Sequence, residues 1–109
     1  MYRRLLEVHG DRFRRALNLV DHVYNIAVTR EDVVEVSGIV VGTAPYPCFT
    51  DGKNAHCRCL DFISRRPSAC KHVIALCLRA YANGMINEEE LMYLLCPPTR
   101  SKREGKGEE

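Results

Sequence analysis

The stretch that decides the reading is Ala55-His56-Cys57-Arg58-Cys59, followed after ten residues by Cys70-Lys71-His72-Val73-Ile74-Ala75. Cys57 and Cys59 are two apart, and on a strand such residues point to one face. Cys70 and His72 fall at the predicted start of a helix. The connection between the pairs is long enough to fold that start back over the strand. Three sulfurs and one imidazole then converge, and this donor set makes a closed tetrahedral site that suits one structural Zn²⁺. A helix N-terminus favours negative charge, which suits Cys70 as a thiolate. Arg58 and Lys71 sit inside the two pairs and offset the excess negative charge. In small zinc peptides such binding is worth on the order of 10 kcal/mol. That is comparable to the whole stability of a small domain.

Other readings of the same residues are weaker. Cys57 and Cys59 are too close to bridge comfortably. A catalytic zinc keeps an open coordination position, and four protein ligands leave none. His56 should face away from its neighbour Cys57. Cys48, on the neighbouring strand, remains an alternative that the sequence leaves open, as does His56. Cys77 reads as a small core residue and Cys96 as a partly buried one. His9 and His22 read as ordinary helix residues.

Outward from this centre, the chain reads as a single α+β unit. Upstream, Leu6, Phe13, Leu17, Val20 and Tyr24 recur at helical spacing. The expectation is helix from about Tyr2 to His22, with a break at Gly10 and Asp11 as the cap of a second segment. Strands are expected near Tyr24–Thr29, Val33–Val41, Pro47–Phe49 and Ala55–Cys59. Asp51-Gly52-Lys53-Asn54 is the turn between the last two. After a loop over Asp61–Pro67, Ser68 should cap a helix from about Ala69 to Ala82, with Val73, Leu76, Cys77 and Ala80 as its apolar face. Asn83-Gly84 is a stop signal. Asn87 should cap a last helix, with Glu88-Glu89-Glu90 in its first turn. The division is therefore 1–32 for the N-terminal helix and first strand, 33–82 for the metal region, 83–98 for the C-terminal helix and 99–109 for a disordered tail.

The wider composition fits. The chain has 109 residues, six cysteines, a 46% hydrophobic share and a formal charge of +2. Those figures belong to one globular domain and exclude collagen-like or wholly disordered chains. A short chain buries a modest core, so a metal staple helps. The first residues lack the apolar stretch of a secretory signal, and no run is long enough to span a bilayer. The expected setting is cytoplasmic, or nuclear in a eukaryote, with no membrane partner. There is no phosphate-binding glycine loop and no nucleophile–base pair, so neither an enzyme nor a small-molecule substrate is expected.

At the four candidate ligands the sequence resembles the SWIM-type zinc finger family, whose signature is C-x-C, a variable gap and C-x-H. Cys57, Cys59, Cys70 and His72 meet it. Asp61-Phe62 matches the acidic-aromatic step after the first pair, and Cys70-Lys71-His72-Val73-Ile74-Ala75 matches the helix opening. Leu60 departs from the proline that many members carry. The resemblance covers roughly residues 33 to 82. It implies a ββα finger that binds DNA or protein, and family members occur in Swi/Snf-class ATPases, Mutator-like transposases and a mediator subunit that partners RecA-like recombinases. Charge bears on the partner. Residues 53–82 carry Lys53, Arg58, Arg65, Arg66, Lys71 and Arg79 against Asp61 alone, whereas 31–51 carry four acidic residues and no basic one. A basic finger can meet phosphates, with Arg58, Arg65, Arg66 and Lys71 as the nucleic-acid candidates. The opposing expectation is a protein–protein adaptor in which zinc only holds the fold.

Overall fold

The computed structural model describes residues 2–59 and 70–96. Four α-helices and a four-stranded antiparallel sheet lie among them, so the chain is mixed α+β. Helix α1 runs Tyr2–His9 and α2 runs Asp11–Leu17, followed by a 3-10 turn at Val20–His22. The break falls at Gly10, whose φ of 57° is open to glycine at little cost. Gly10 itself is the cap of α2 and Asp11 is already helical, correcting the expected Asp11 cap. In that first turn Asp11 accepts a hydrogen bond from Arg14 at 3.1 Å. The break also changes the helical phase. Leu5, His9, Phe13 and Ala16 are the buried residues, whereas Leu17 and Tyr24 stand 49% and 53% exposed. The expected stripe assumes one continuous period through residue 24, and it does not survive a break at Gly10 and a strand from Val23.

The sheet is a meander of β1 (Val23–Thr29), β2 (Glu35–Val41), β3 (Pro45–Thr50) and β4 (Ala55–His56), in that spatial order. A bulge between Tyr24 and Ala27 kinks β1, and Asn25 there takes a φ of 57°. In β2, Val36, Gly38 and Val40 alternate inward as a one-sided strand requires. The turn joining β3 to β4 forms as expected. Asp51 Oδ1 accepts from the N–H groups of Lys53 and Asn54 at 2.9 and 2.7 Å.

Helix α3 (Lys71–Ala82) packs against β1, β2 and β3 and against α2 and α4 (Glu88–Leu95). Residues His72 to Leu78 are all buried, and so is Ala80. The four-residue apolar face expected from the sequence is therefore too narrow, because α3 is the central element and has neighbours all round. A Cβ at Gly38 would stand 2.8 Å from Leu76 Cδ1, so glycine lets α3 sit close on the sheet. Helix α3 ends in a Schellman arrangement. Gly84 takes a φ of 77°, Met85 N–H donates to Ala80 O at 2.9 Å and Gly84 N–H to Tyr81 O at 3.0 Å. Helix α4 opens with a capping box. Glu90 N–H donates to Asn87 Oδ1, and Asn87 N–H donates to Glu90 Oε1.

Two long-range contacts close the fold around this helix pair. His9 Nε2 donates to Leu95 O at 2.7 Å, which ties α1 to the end of α4 and gives the histidine a buried structural role. Arg30 forks onto Glu90 at 2.7 and 3.2 Å and also donates to Met85 O. Among the described residues no helix is long and apolar enough to cross a membrane.

Candidate metal centre

Cys57, Cys59, Cys70 and His72 come together as the sequence predicts. Their ligand atoms all lie within 4.8 Å of one another. The residues are 1%, 4%, 0% and 3% exposed. A tetrahedral zinc with sulfur bonds of about 2.3 Å sets its ligands roughly 3.8 Å apart. Cys70 Sγ and His72 Nδ1 are 4.0 Å apart, close to that edge. The donor set thus fits a divalent ion that takes sulfur and nitrogen.

The two halves of the site are positioned differently. Strand β4 ends at His56, so Cys57 and Cys59 lie beyond the ladder and not on the longer strand expected. The inward-outward alternation nevertheless continues. Cys57 and Cys59 are buried, and His56 and Arg58 are exposed. Both sulfurs therefore share one face, as period-two spacing requires. His56 is outside the ligand group.

The other half is the opening of α3. Cys70 is the residue that precedes the helix, extended at φ −86° and ψ 174°, so the cap is Cys70 and the helix starts at Lys71. That is later than the expected start at Ala69. Ser68 lies outside the described residues, with Leu60, Asp61, Phe62 and the candidates Arg65 and Arg66. Of the other basic candidates, Arg58 is exposed and Lys71 half-buried.

His72 is bounded by Tyr46 and by the backbone at Gly42. Tyr46 packs on it with centroids 4.6 Å apart and planes tilted by 49°. A Cβ at Gly42 would stand 3.2 Å from His72 Nε2. Glycine therefore leaves room for the imidazole to turn Nδ1 toward the sulfurs.

The sulfurs crowd one another. The Cys57 thiol is pushed up to about 12 by its hydrogen bond with Cys48 and by burial, while its contact with Cys70 acts the other way. The Cys70 thiol is likewise pushed up to about 12, by its hydrogen bond with Cys57 and by burial, against the contact with His72. Without a metal these groups are neutral thiols at pH 7. A divalent cation inverts that balance and draws off the protons.

The sequence leaves the role of Cys48 open. In the structure it is outside the four-residue ligand group, yet it is buried and in contact with Cys57. The turn is the signal that could reveal this. A two-residue loop at Gly52-Lys53 pairs Thr50 with Ala55 and Phe49 with His56, and the same register continued past the end of β4 would set Cys48 opposite Cys57. Cys77 is a fully buried core residue, as expected, and Cys96 is half-buried.

No protein-family model matches this chain, and neither the curated proteins nor the solved structures hold a significant match.

Proposed function

We propose that the chain is a zinc-binding module of the SWIM type that acts by docking, on DNA or on a DNA-processing protein such as a RecA-like recombinase. The observation that carries the zinc reading is the buried group of three cysteines and one histidine within 4.8 Å. Four protein ligands complete a tetrahedral zinc and leave no position for water or substrate. The ion's role is then to hold α3 against the end of β4. Family resemblance at the same four residues supports the docking role, as does the run of basic residues around them. Arg58 projects outward between two of the ligands. Phosphate contacts by Arg58, Arg65, Arg66 and Lys71 would make DNA binding fall steeply with salt.

Two measurements test this reading. Metal analysis of the purified chain should return one zinc per molecule, and cobalt substitution should give the absorption of a tetrahedral thiolate site. A five- or six-coordinate cobalt spectrum would contradict the closed site. DNA affinity measured across salt should drop on Arg65→Ala with Arg66→Ala, and the salt slope should shrink by about one for each arginine–phosphate pair removed. Salt-insensitive or absent DNA binding, with a stable protein partner retained, would replace the DNA reading with the adaptor.

A further inference from the structure

Cys48 has the position of a thiol that can react with a metal ligand. The register of β3 and β4 pairs Thr50 with Ala55 and Phe49 with His56. Cys57 lies one residue past the last paired residue, His56, and the same register continued by one step would set it opposite Cys48. Directly opposed residues of an antiparallel pair have Cα atoms about 4.5–5.5 Å apart, inside the window of about 4.4–6.8 Å that a disulfide spans. The two side chains face the same interior. Cys48 is 4% exposed and Cys57 is 1% exposed, and the two thiols lie close enough to influence one another. Cys48 Sγ also lies 3.3 Å from Tyr46 O, which holds the thiol on the strand it came from. Cys48 thus stands beside a ligand without belonging to the ligand group.

We propose that Cys48 and Cys57 form a site of oxidative modification, at which peroxide converts the pair to a cross-strand disulfide and releases the metal. The metal half of this inference rests on the zinc reading above. In the first step the Cys57 thiolate attacks one oxygen of hydrogen peroxide. The O–O bond breaks, hydroxide leaves, and Cys57 becomes a sulfenic acid. In the second step Cys48 Sγ attacks Cys57 Sγ. The S–O bond breaks, and the leaving hydroxide takes the Cys48 proton as water. The two sulfurs have lost two electrons, and the peroxide has been reduced to one water and one hydroxide. Cys59, Cys70 and His72 remain as three ligands, and the ion dissociates.

The choice of pair has a physical basis. Cys59 is too close to Cys57 in sequence to bridge it comfortably. Cys70 also contacts Cys57 but is itself one of the four donors, so its sulfur stays engaged with the ion while the sulfenic acid forms, whereas Cys48 stands outside that group. Burial selects the reagent. Sulfurs this enclosed exclude a bulky disulfide such as oxidised glutathione, so the oxidant must be as small as peroxide and enter through local opening of the fold.

The test uses the zinc-loaded full chain with peroxide in slight excess. Released zinc is followed with a chromogenic chelator, and the linkage is mapped by mass spectrometry without reduction. The expected result is one zinc released per disulfide formed, a Cys48–Cys57 linked peptide, and recovery on adding dithiothreitol and zinc. Oxidised glutathione at the same concentration should release little. Cys48→Ser and Cys48→Ala should each bind one zinc and release it about tenfold more slowly under peroxide, because the sulfenic acid has lost its neighbour. A wild-type map without the Cys48–Cys57 linkage overturns the inference, and so does release from both variants at the wild-type rate. A chain that takes up no zinc removes the metal reading alone. The map of the same chain treated with peroxide at alkaline pH, where the thiols ionise without metal, then decides the thiol pair, supporting it if the linkage is present and overturning it if not.

Discussion

Cys70 and Cys77 lie about two turns apart along α3, and both thiols are pushed up to about 12. The causes differ. Cys77 is raised by burial alone, among apolar neighbours. Cys70 is raised by its hydrogen bond with another thiol, Cys57, before burial is counted, and His72 acts in the opposite direction. A cation can reverse the second situation, because several donors already point at one place. It has nothing to gather at Cys77. Identical residues are therefore a packing atom within the helix and a candidate ligand at its cap, and the surrounding donors decide which.

The largest test of that contrast is Cys70→Ser. Serine is a good helix cap, so the opening of α3 keeps its local stability. The variant loses a thiolate ligand, and most of the roughly 10 kcal/mol of zinc binding goes with it. Calorimetry should show a broad or absent transition at neutral pH.

Next in size is the dependence on pH. The raised thiols mean that the metal-free fold binds their protons more tightly than the unfolded chain does. Their contribution to stability is fully present below the ordinary value of 9.0 and is lost as pH rises toward 12. In the loaded protein Cys57 and Cys70 are already thiolates, so only Cys77 contributes this loss. Alkaline titration should destabilise the metal-free chain more than the loaded one. Zinc affinity should rise with pH by about a thousandfold per unit below the thiols' ordinary range if Cys57, Cys59 and Cys70 each release a proton. Isothermal titration in buffers of different ionisation enthalpy counts those protons.

Gly42→Ala is a smaller perturbation. Its new Cβ would press on His72 Nε2 at 3.2 Å and tilt the ring away from the sulfurs. Zinc affinity should fall by about tenfold, as for other groups that orient a ligand, and competition with a chromogenic chelator reads it. The smallest effect belongs to Cys77→Ala. Removing one buried sulfur should cost about 1 kcal/mol in urea unfolding and leave zinc stoichiometry at one.

Much of this arrangement is legible in the residues themselves. Asp51-Gly52-Lys53-Asn54, Asn83-Gly84 and Asn87 are each followed by the turn or helix boundary that their side chains and φ preferences dictate. The four candidate ligands are legible because period-two spacing and a helix opening bring chemically matched donors together. Phase is not legible. A glycine between two helical stretches fixes no rotation between them, so periodicity puts Leu17 and Tyr24 on a buried face although both turn outward. The full burial of α3 is not legible either, since apolar width depends on how many elements surround a helix. The contact between Cys48 and Cys57 is within reach, through the register that the two-residue loop imposes.

Thermal unfolding of the reduced chain, zinc-loaded and then treated with a strong chelator, tests the central claim most directly. The account predicts a single cooperative transition with zinc and its loss or collapse to far lower temperature without it. An unchanged cooperative transition after verified metal removal would contradict the claim that the Cys57, Cys59, Cys70 and His72 site holds the fold together.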